Sequence, residues 1–328
     1  MWLLRLVLPG RFGRMLTSVL IFGILLPVFY LGGGSDHGSI PALFFSTVIA
    51  YIIPIFSYIT EKSREAVGAL RPVLNLNSSE IEQCQLELQS ANIVQTGIAL
   101  LLGSILGGIH MSLVSGSATG FIERMLSSTP EFLSIFGSLL VWIVMTTVIS
   151  MLLQQATAIS RLASQSTRIN LFNTRALLPF GRIAIGSSLA IIGALALFPL
   201  IGAEIGVDLK QILPGAIATL VPLGVIFLLP VWPVHRRVSA LKETHLADIG
   251  SKIDQAMAQA AHKDGAAAPP AQISTELAAL LVYRREVLDV SSWPFDLGNV
   301  TKLAFYMFIP PLTWVAAALI ENLVDAML

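Results

Sequence analysis

Two carboxylates near the C-terminus are the residues whose type and spacing suggest chemistry most directly. Glu321 and Asp325 lie four residues apart, so on a helix they fall on the same face. The same face continues inward through Met307, Pro311, Trp314 and Ala318. If this helix lined a pore in a symmetric oligomer, the two carboxylates would form stacked acidic rings at its mouth, which favour cations. The alternative is that both carboxylates lie in water beyond the end of the helix.

Other arrangements that carry chemistry are not visible in the sequence. The five histidines never lie three or four residues apart, and there is a single cysteine, so no spacing is typical of a metal site. No nucleophile–base set or phosphate-binding loop with the required strand and helix context is found. We therefore expect no catalytic residues, no metal and no cofactor, and we do not expect an enzyme. The net charge of zero gives no basic excess that would favour nucleic acid.

The composition predicts an all-α integral membrane protein. The chain is 55% hydrophobic and 12% charged, whereas soluble domains carry about 25% charged residues. Its apolar residues fall into runs of about 20, the length that a helix needs to cross a bilayer. We predict seven transmembrane helices at about 15–33, 42–59, 93–113, 133–153, 183–203, 213–233 and 301–323.

The basic residues predict the orientation of the chain. All but two of the 20 Lys and Arg residues lie in the N-terminus, in the long loops 60–92, 154–182 and 234–300, or at the edge of the last span. Only Arg124 and Lys210 lie on the other side. The positive-inside rule therefore predicts a cytoplasmic N-terminus, long helical cytoplasmic extensions and a C-terminus outside, in a bacterial inner membrane.

This layout predicts three segments. Residues 1–233 form a six-span bundle of three hairpins, 234–300 a cytoplasmic helical hairpin, and 301–328 a last transmembrane helix that Pro310 and Pro311 break or bend. Whether this last helix crosses fully or is re-entrant is left open. In the hairpin, one apolar stripe is predicted at Leu246, Ile249, Ile253, Met257 and Ala260, and a second at Leu277, Leu281 and Leu288.

The span interiors carry only mild polar groups. Spans one to six have no Asp, Glu, Lys or Arg at their centres, which argues against a proton-coupled pump. We interpret serines and threonines such as Ser138, Thr146 and Ser150 mainly as donors to helix carbonyls. Gly103 and Gly107 predict a close helix contact, and so does a second set of small residues, Gly186, Ala190 and Ala194.

Two local features of the predicted cytoplasmic loops stand out. Asn77 and Glu80 have the spacing of a capping box at a helix start. Basic residues near the sixth span and in the second loop helix predict a patch for anionic lipid, with plain membrane anchoring as the alternative. The residues of this predicted patch are His235, Arg236, Arg237, Arg284 and Arg285.

Three short motifs carry a resemblance. The run Tyr283-Arg284-Arg285-Glu286, then Trp293-Pro294-Phe295-Asp296, then Ile309-Pro310-Pro311 resembles the C-terminus of some uncharacterised prokaryotic multi-pass membrane proteins, and this resemblance implies no activity. The predicted topology is also similar to that of the insect chemoreceptor channels, whose last span lines a tetrameric pore. No motif is shared with those channels, and the likeness is architectural.

These observations lead to three functional hypotheses. The first is an oligomeric membrane channel with its last span lining a cation-favouring pore. The second is a non-catalytic structural or accessory subunit of a larger membrane complex. The third is a carrier for a neutral or lipid-like solute, which a central cavity with converging Ser and Thr side chains would favour. The expected partners are the lipid bilayer, further copies of the chain in a homo-oligomer and other membrane subunits.

Overall fold

The computed structural model describes residues 2–33, 39–74, 77–90, 92–165, 169–198, 209–261 and 271–295, with the single positions 301, 305, 312 and 316. These residues form helices and turns, with no strand among them. The helices are α1 (Trp2–Arg5), α2 (Gly13–Gly33), α3 (Ser39–Ala69), α4 (Ser78–Glu87), α5 (Ile93–Val114), α6 (Ala118–Ser127), α7 (Thr129–Gln165), a 3₁₀ helix (Leu171–Leu177), α8 (Leu178–Leu195), α9 (Leu209–Ala261) and α10 (Ala271–Asp289).

Six of the described helices are long and apolar enough to cross a membrane, which confirms the helical membrane class. They coincide with the first six predicted spans. The seventh predicted span, 301–323, lies outside the described residues except at four single positions, so the count of seven stays a prediction. The helix of the fifth predicted span, α8, begins at Leu178 and not at 183. Pro179 lies in its first turn, where the missing N–H of proline costs no hydrogen bond.

We call the end of the bundle that carries the long connections the long-loop end, and the opposite end of the bundle the short-loop end. At the long-loop end, three helices continue well past the predicted spans. α3 and α7 continue to Ala69 and Gln165. α9 is one helix of 53 residues, although it contains Pro214, Pro222, Pro230 and Pro233. It therefore passes through the predicted boundary at 233–234 without a break, because neighbouring helices can satisfy the carbonyls that proline frees.

The core is divided into two layers along the bundle. One cluster joins α2, α3, α7, α8 and α9 within the predicted spans and fully buries Phe56, Leu152 and Ile191. The second cluster lies at the long-loop end and fully buries Leu70 and Phe180 between α3, α4, α7, α8 and α9. The helix extensions thus have their own packed interior.

Two short helices occur in the connections. At the start of α4, the carboxylate of Glu80 accepts a hydrogen bond from Asn77 N at 2.8 Å, and the predicted capping box is confirmed. α6 lies in the connection 114–132, between the third and fourth predicted spans. Ser117 caps it by accepting from Gly120 N at 2.9 Å, and its apolar residues Ile122 and Leu126 are exposed.

The second half of α9 and α10 pack antiparallel. Lys242 Nζ donates to Leu288 O at 2.6 Å and to Val290 O at 3.0 Å, so its ammonium group satisfies carbonyls at the end of α10. About one turn further along α9, the hydroxyl oxygen of Tyr283 and Nδ1 of His245 lie 3.3 Å apart. These contacts fix the register of the two helices.

This register corrects part of the predicted stripes. On α9, Ile249 is buried as predicted, whereas Met257 is exposed. On α10, Leu281 and Leu288 are exposed and Val287 is fully buried instead. The reason is that the contacts with Lys242 and His245 turn the Tyr283–Val287 face of α10 toward α9, which moves Leu281 and Leu288 away from it.

The segment after α10 is held by stacked rings. Trp293 stacks on His235 with ring centroids 4.0 Å apart, and Phe295 stacks on Phe227 at 5.4 Å. The backbone between these rings lies directly against α8, because a Cβ on Gly181 would come within 2.2 Å of Pro294 O. The Trp-Pro-Phe motif, residues 293–295, therefore packs against α8 and α9.

Candidate functional site

The described residues surround a cavity of about 1140 Å³. It lies between α3, α5, α7 and the first half of α9. Its volume slightly exceeds the range of roughly 300–1,000 Å³ that is common for small-molecule pockets. Ser134 and Arg161 both line it, and their separation along α7 corresponds to about 40 Å. The cavity thus extends over a length comparable to the thickness of a bilayer.

α7 supplies much of the polar lining of the cavity. Six residues recur at every fourth position and all line the cavity: Ser134, Ser138, Trp142, Thr146, Ser150 and Gln154. We call this set the α7 stripe. Because four residues turn through about 400°, the stripe advances about 40° per step and winds roughly halfway around α7 from Ser134 to Gln154. It presents hydroxyl and amide groups along a wall that is otherwise apolar.

Neighbouring hydroxyls behave differently from those of the stripe. Thr147 is buried away from the cavity and donates to Ile143 O at 2.7 Å, and Ser188 donates to Ala184 O at 2.8 Å. These two side chains confirm the predicted bonding to helix carbonyls. Thr146 and Ser150, by contrast, face the cavity, where their hydroxyls can meet a ligand.

α5 forms the opposite wall and contacts α7 very closely. A Cβ on Gly103 would come within 2.8 Å of Ile143 Cα, and one on Gly107 within 2.9 Å of Leu139 Cδ2. The predicted small-residue contact is therefore confirmed. The second predicted set is only partly supported, because Ala190 and Ala194 are buried but a Cβ on Gly186 would meet nothing within 4 Å.

A polar pair joins these two helices at the cavity wall. Trp142 Nε1 donates to His110 Nδ1 at 3.1 Å, and both side chains line the cavity. His110 Nδ1 must accept this hydrogen bond, since the indole N–H is only a donor. The bond fixes the orientation of both rings.

α9 adds backbone polarity to the third wall. Thr219 donates to Gly215 O at 2.7 Å, and both residues line the cavity. Ala218 and Pro222 also line it. Since proline has no N–H, the carbonyl of Ala218 lacks its usual helical donor and is available as an acceptor.

Charged side chains line the cavity only near its ends, among the described residues. Arg124 stands at the short-loop end, where it binds Glu131 at 2.8 Å. Glu87 and Arg161 stand at the long-loop end. Between these ends the lining is uncharged, so the middle of the cavity favours an uncharged group.

Two glutamines of α7 hold the long-loop end of the cavity together. Gln155 Nε2 donates to Thr60 Oγ1 at 2.9 Å and to Leu88 O at 3.0 Å, and thus ties α7 to α3 and to the end of α4. Gln154 Nε2 donates to Ser90 O at 3.3 Å. Gln154 Oε1 is buried and has no hydrogen-bond partner among the described residues, so this cavity-lining residue retains an acceptor.

The residues predicted to line a pore lie outside the described residues. These are Met307, Pro311, Trp314, Ala318, Glu321 and Asp325. Their role stays a prediction.

The residues predicted to bind anionic lipid are described. His235 stacks on Trp293, while Arg236, Arg284 and Arg285 are exposed. The α9–α10 register puts Arg236 and Arg237 near the level of Trp293, and Arg284 and Arg285 near that of His245. These levels are about 12 Å apart along α9. That these five residues form one patch for anionic lipid stays a prediction. His235 also packs against Trp293.

The α7 stripe is not among the features predicted from the sequence. The sequence predicts Ser138, Thr146 and Ser150 mainly as donors to helix carbonyls and assigns no role to Ser134 and Gln154. The available signal was the unbroken four-residue spacing of polar residues in a single span.

No protein-family model matches the chain, and no curated protein or solved structure matches it either. Within the described residues, no group of three His, Cys, Asp or Glu side chains is placed to hold a metal ion.

Proposed function

We propose that this protein is a membrane carrier for a neutral or lipid-like solute, which binds in the cavity between α5, α7 and α9. The observation that carries the proposal is the α7 stripe, a run of mild polar side chains along a cavity as long as a bilayer is thick. A helix packed only for stability has no need of such a run, because its hydroxyls can bond to their own backbone, as Thr147 does.

The lining indicates the kind of solute. Large apolar side chains such as Phe45, Leu106 and Met145 can accommodate hydrocarbon. Ser150, Thr146 and the Ala218 carbonyl can exchange hydrogen bonds with hydroxyl, ester or amide groups. The charges at the ends can orient a polar head group. An elongated amphipathic molecule meets all three conditions.

Several finer features belong to the same proposal. They are a bacterial inner-membrane location and a cytoplasmic long-loop end, which the charge distribution and apolar content of the sequence support. A homo-oligomeric assembly stays an expectation. The channel hypothesis depends on Glu321 and Asp325, which lie outside the described residues. The cavity is independent of them and favours the carrier.

Identifying the molecules that co-purify with the protein tests the proposal. Lipids and small solutes extracted from wild-type protein and from the Ser138→Leu/Ser150→Leu variant are compared by mass spectrometry. We expect one amphipathic species in wild type and about tenfold less of it in the variant, because the added volume narrows the cavity. Ser188→Ala is the matched control, since Ser188 is buried outside the cavity and should leave occupancy unchanged.

Equal occupancy in wild type and in the narrowed variant would refute the carrier. Recording from planar bilayers distinguishes the alternative. Ion conductance that Glu321→Ala and Asp325→Ala reduce would favour the channel, whereas the carrier predicts no such conductance.

A further inference from the structure

A second cavity, of about 580 Å³, lies between α3 and α8 on the other side of the bundle core. On α3, the cavity extends from Tyr51 in the second span to Lys62 and Ala69 at the long-loop end. On α8, it extends from Leu189 to Pro179 at the long-loop end. From Tyr51 to Lys62 the rise along α3 is about 16 Å. None of its lining residues lines the first cavity.

The two parts of this cavity differ in chemistry. The part within the predicted span is formed mainly by aliphatic residues such as Ile55, Ile59 and Leu189, together with Tyr51 and Tyr58. Gly186 leaves space on the α8 side, since a Cβ there would meet nothing within 4 Å. A straight hydrocarbon chain suits such a slot.

The long-loop end of the cavity is cationic. Lys62 and Arg182 both line it, and Glu65 is the single acid among the lining residues that the structure describes. Lys62 Nζ donates a hydrogen bond to Glu65 Oε2 at 2.6 Å. The other nearby acid, Glu61, is paired with Arg14 instead. The side chains of Lys62, Arg182 and Glu65 together carry a net charge of +1 at neutral pH.

An unsatisfied hydroxyl lies beside these cations. Ser63 lines the cavity and is 1% exposed, and its Oγ has no hydrogen-bond partner among the described residues. A buried hydroxyl without a partner costs free energy unless a ligand or water binds it. It is therefore an independent sign that a polar group completes this end of the cavity.

We propose that this cavity binds one anionic phospholipid, with its phosphate at Lys62, Arg182 and Ser63 and one acyl chain along α3 and α8 toward Tyr51. The order of groups in the cavity matches that molecule, which has an anionic head at the membrane surface and hydrocarbon below it. A zwitterionic lipid would bring an additional positive charge to a cationic site, and free phosphate would leave the apolar part unused.

Thermal unfolding of delipidated full-length protein in detergent tests the proposal. The probes are phosphatidylglycerol, phosphatidylcholine with the same acyl chains, and inorganic phosphate. We expect phosphatidylglycerol to raise the Tm at concentrations about tenfold lower than phosphatidylcholine requires, because two basic groups favour the anion. Inorganic phosphate should not raise the Tm.

Three variants complete the design. Lys62→Gln/Arg182→Gln should weaken the response to phosphatidylglycerol by about tenfold or more. Gly186→Leu keeps both charges and should weaken it by filling the acyl slot. Arg71→Gln/Arg175→Gln removes two exposed charges at the same end of the bundle, outside the cavity, and should leave the response unchanged.

Two results would overturn the proposal. One is an equal response to phosphatidylglycerol in wild type and in Lys62→Gln/Arg182→Gln, which would show that these cations do not bind the head group. The other is a Tm rise with inorganic phosphate as large as that with the lipid, which would make the ligand a free anion. If Lys62→Gln/Arg182→Gln fails to fold, the proposal is tested with Gly186→Leu. A rise in Tm with phosphatidylglycerol as large in Gly186→Leu as in wild type would show that no acyl chain occupies the cavity.

Discussion

Trp142 Nε1 donates a hydrogen bond to His110 Nδ1 over 3.1 Å, and this bond joins α7 to α5 at the wall of the large cavity. The two rings are tilted, with centroids 5.5 Å apart. The bond lies one turn from Gly107 and two turns from Gly103, where an added Cβ would come within 2.8 Å of the α7 backbone. One region of α5 therefore combines tight backbone packing with a directed polar contact.

A double-mutant cycle measures this contact. We expect Trp142→Phe, His110→Phe and the double variant to give a coupling free energy of about 0.6 kcal/mol for unfolding in mixed micelles, a typical value for a hydrogen bond between membrane helices. Strictly additive effects of the two single substitutions would show that the bond does not stabilise the α5–α7 pair.

The close approach of α5 to α7 predicts a sharp difference between two glycines of the same helix. Gly103→Ala should lower the free energy of unfolding by about 1–3 kcal/mol, because the new Cβ would meet the α7 backbone at Ile143. Gly108→Ala is the matched control, since its Cβ would meet nothing within 4 Å. Equal effects of the two substitutions would contradict the described packing of these helices.

The docking of the Trp-Pro-Phe segment can be tested at Gly181. Gly181→Ala should displace Pro294 and loosen the stacking of Trp293 on His235, because the added Cβ would lie 2.2 Å from Pro294 O. Hydrogen–deuterium exchange should then rise in residues 291–295, while Gly186→Ala leaves it unchanged. Unaltered exchange in Gly181→Ala would mean that the segment is not fastened to α8.

Cys84 provides a test of the core at the long-loop end. Burial raises the pKa of its thiol to about 11. Because the thiolate is the reactive form, maleimide labelling at neutral pH should be about 100-fold slower than for an exposed cysteine, and it should speed up as the pH rises toward that pKa. Denatured protein serves as the control for full labelling. Rapid labelling of the native protein at neutral pH would place α4 outside the core.

The features predicted correctly from the sequence are those that depend on local pattern. The first six spans follow from the length of the apolar runs. The Asn77–Glu80 cap and the Gly103–Gly107 contact follow from the spacing of a few residues. In each case the physical cause is contained in a short stretch of chain.

The features that were missed depend on the neighbours of a helix. Four prolines in α9 suggest a break, but packing against other helices keeps it continuous through Pro230 and Pro233. Leu281 has the right spacing for a buried stripe, yet the contacts made by Lys242 and His245 turn another face of α10 inward. The α7 stripe becomes a candidate site only once α5 and α9 enclose it.

The most direct test of the central claim is transport by purified protein in proteoliposomes, with two adjacent threonines compared. The transported probe is the amphipathic molecule that co-purifies with wild-type protein, and its movement across the bilayer is timed. Thr146 faces the cavity, whereas Thr147 is buried and bonds to its own helix. We predict that wild type and Thr147→Val transport the probe at similar rates and that Thr146→Val is several-fold slower. Transport no faster than in protein-free liposomes, or equal rates for the two variants, would contradict the account.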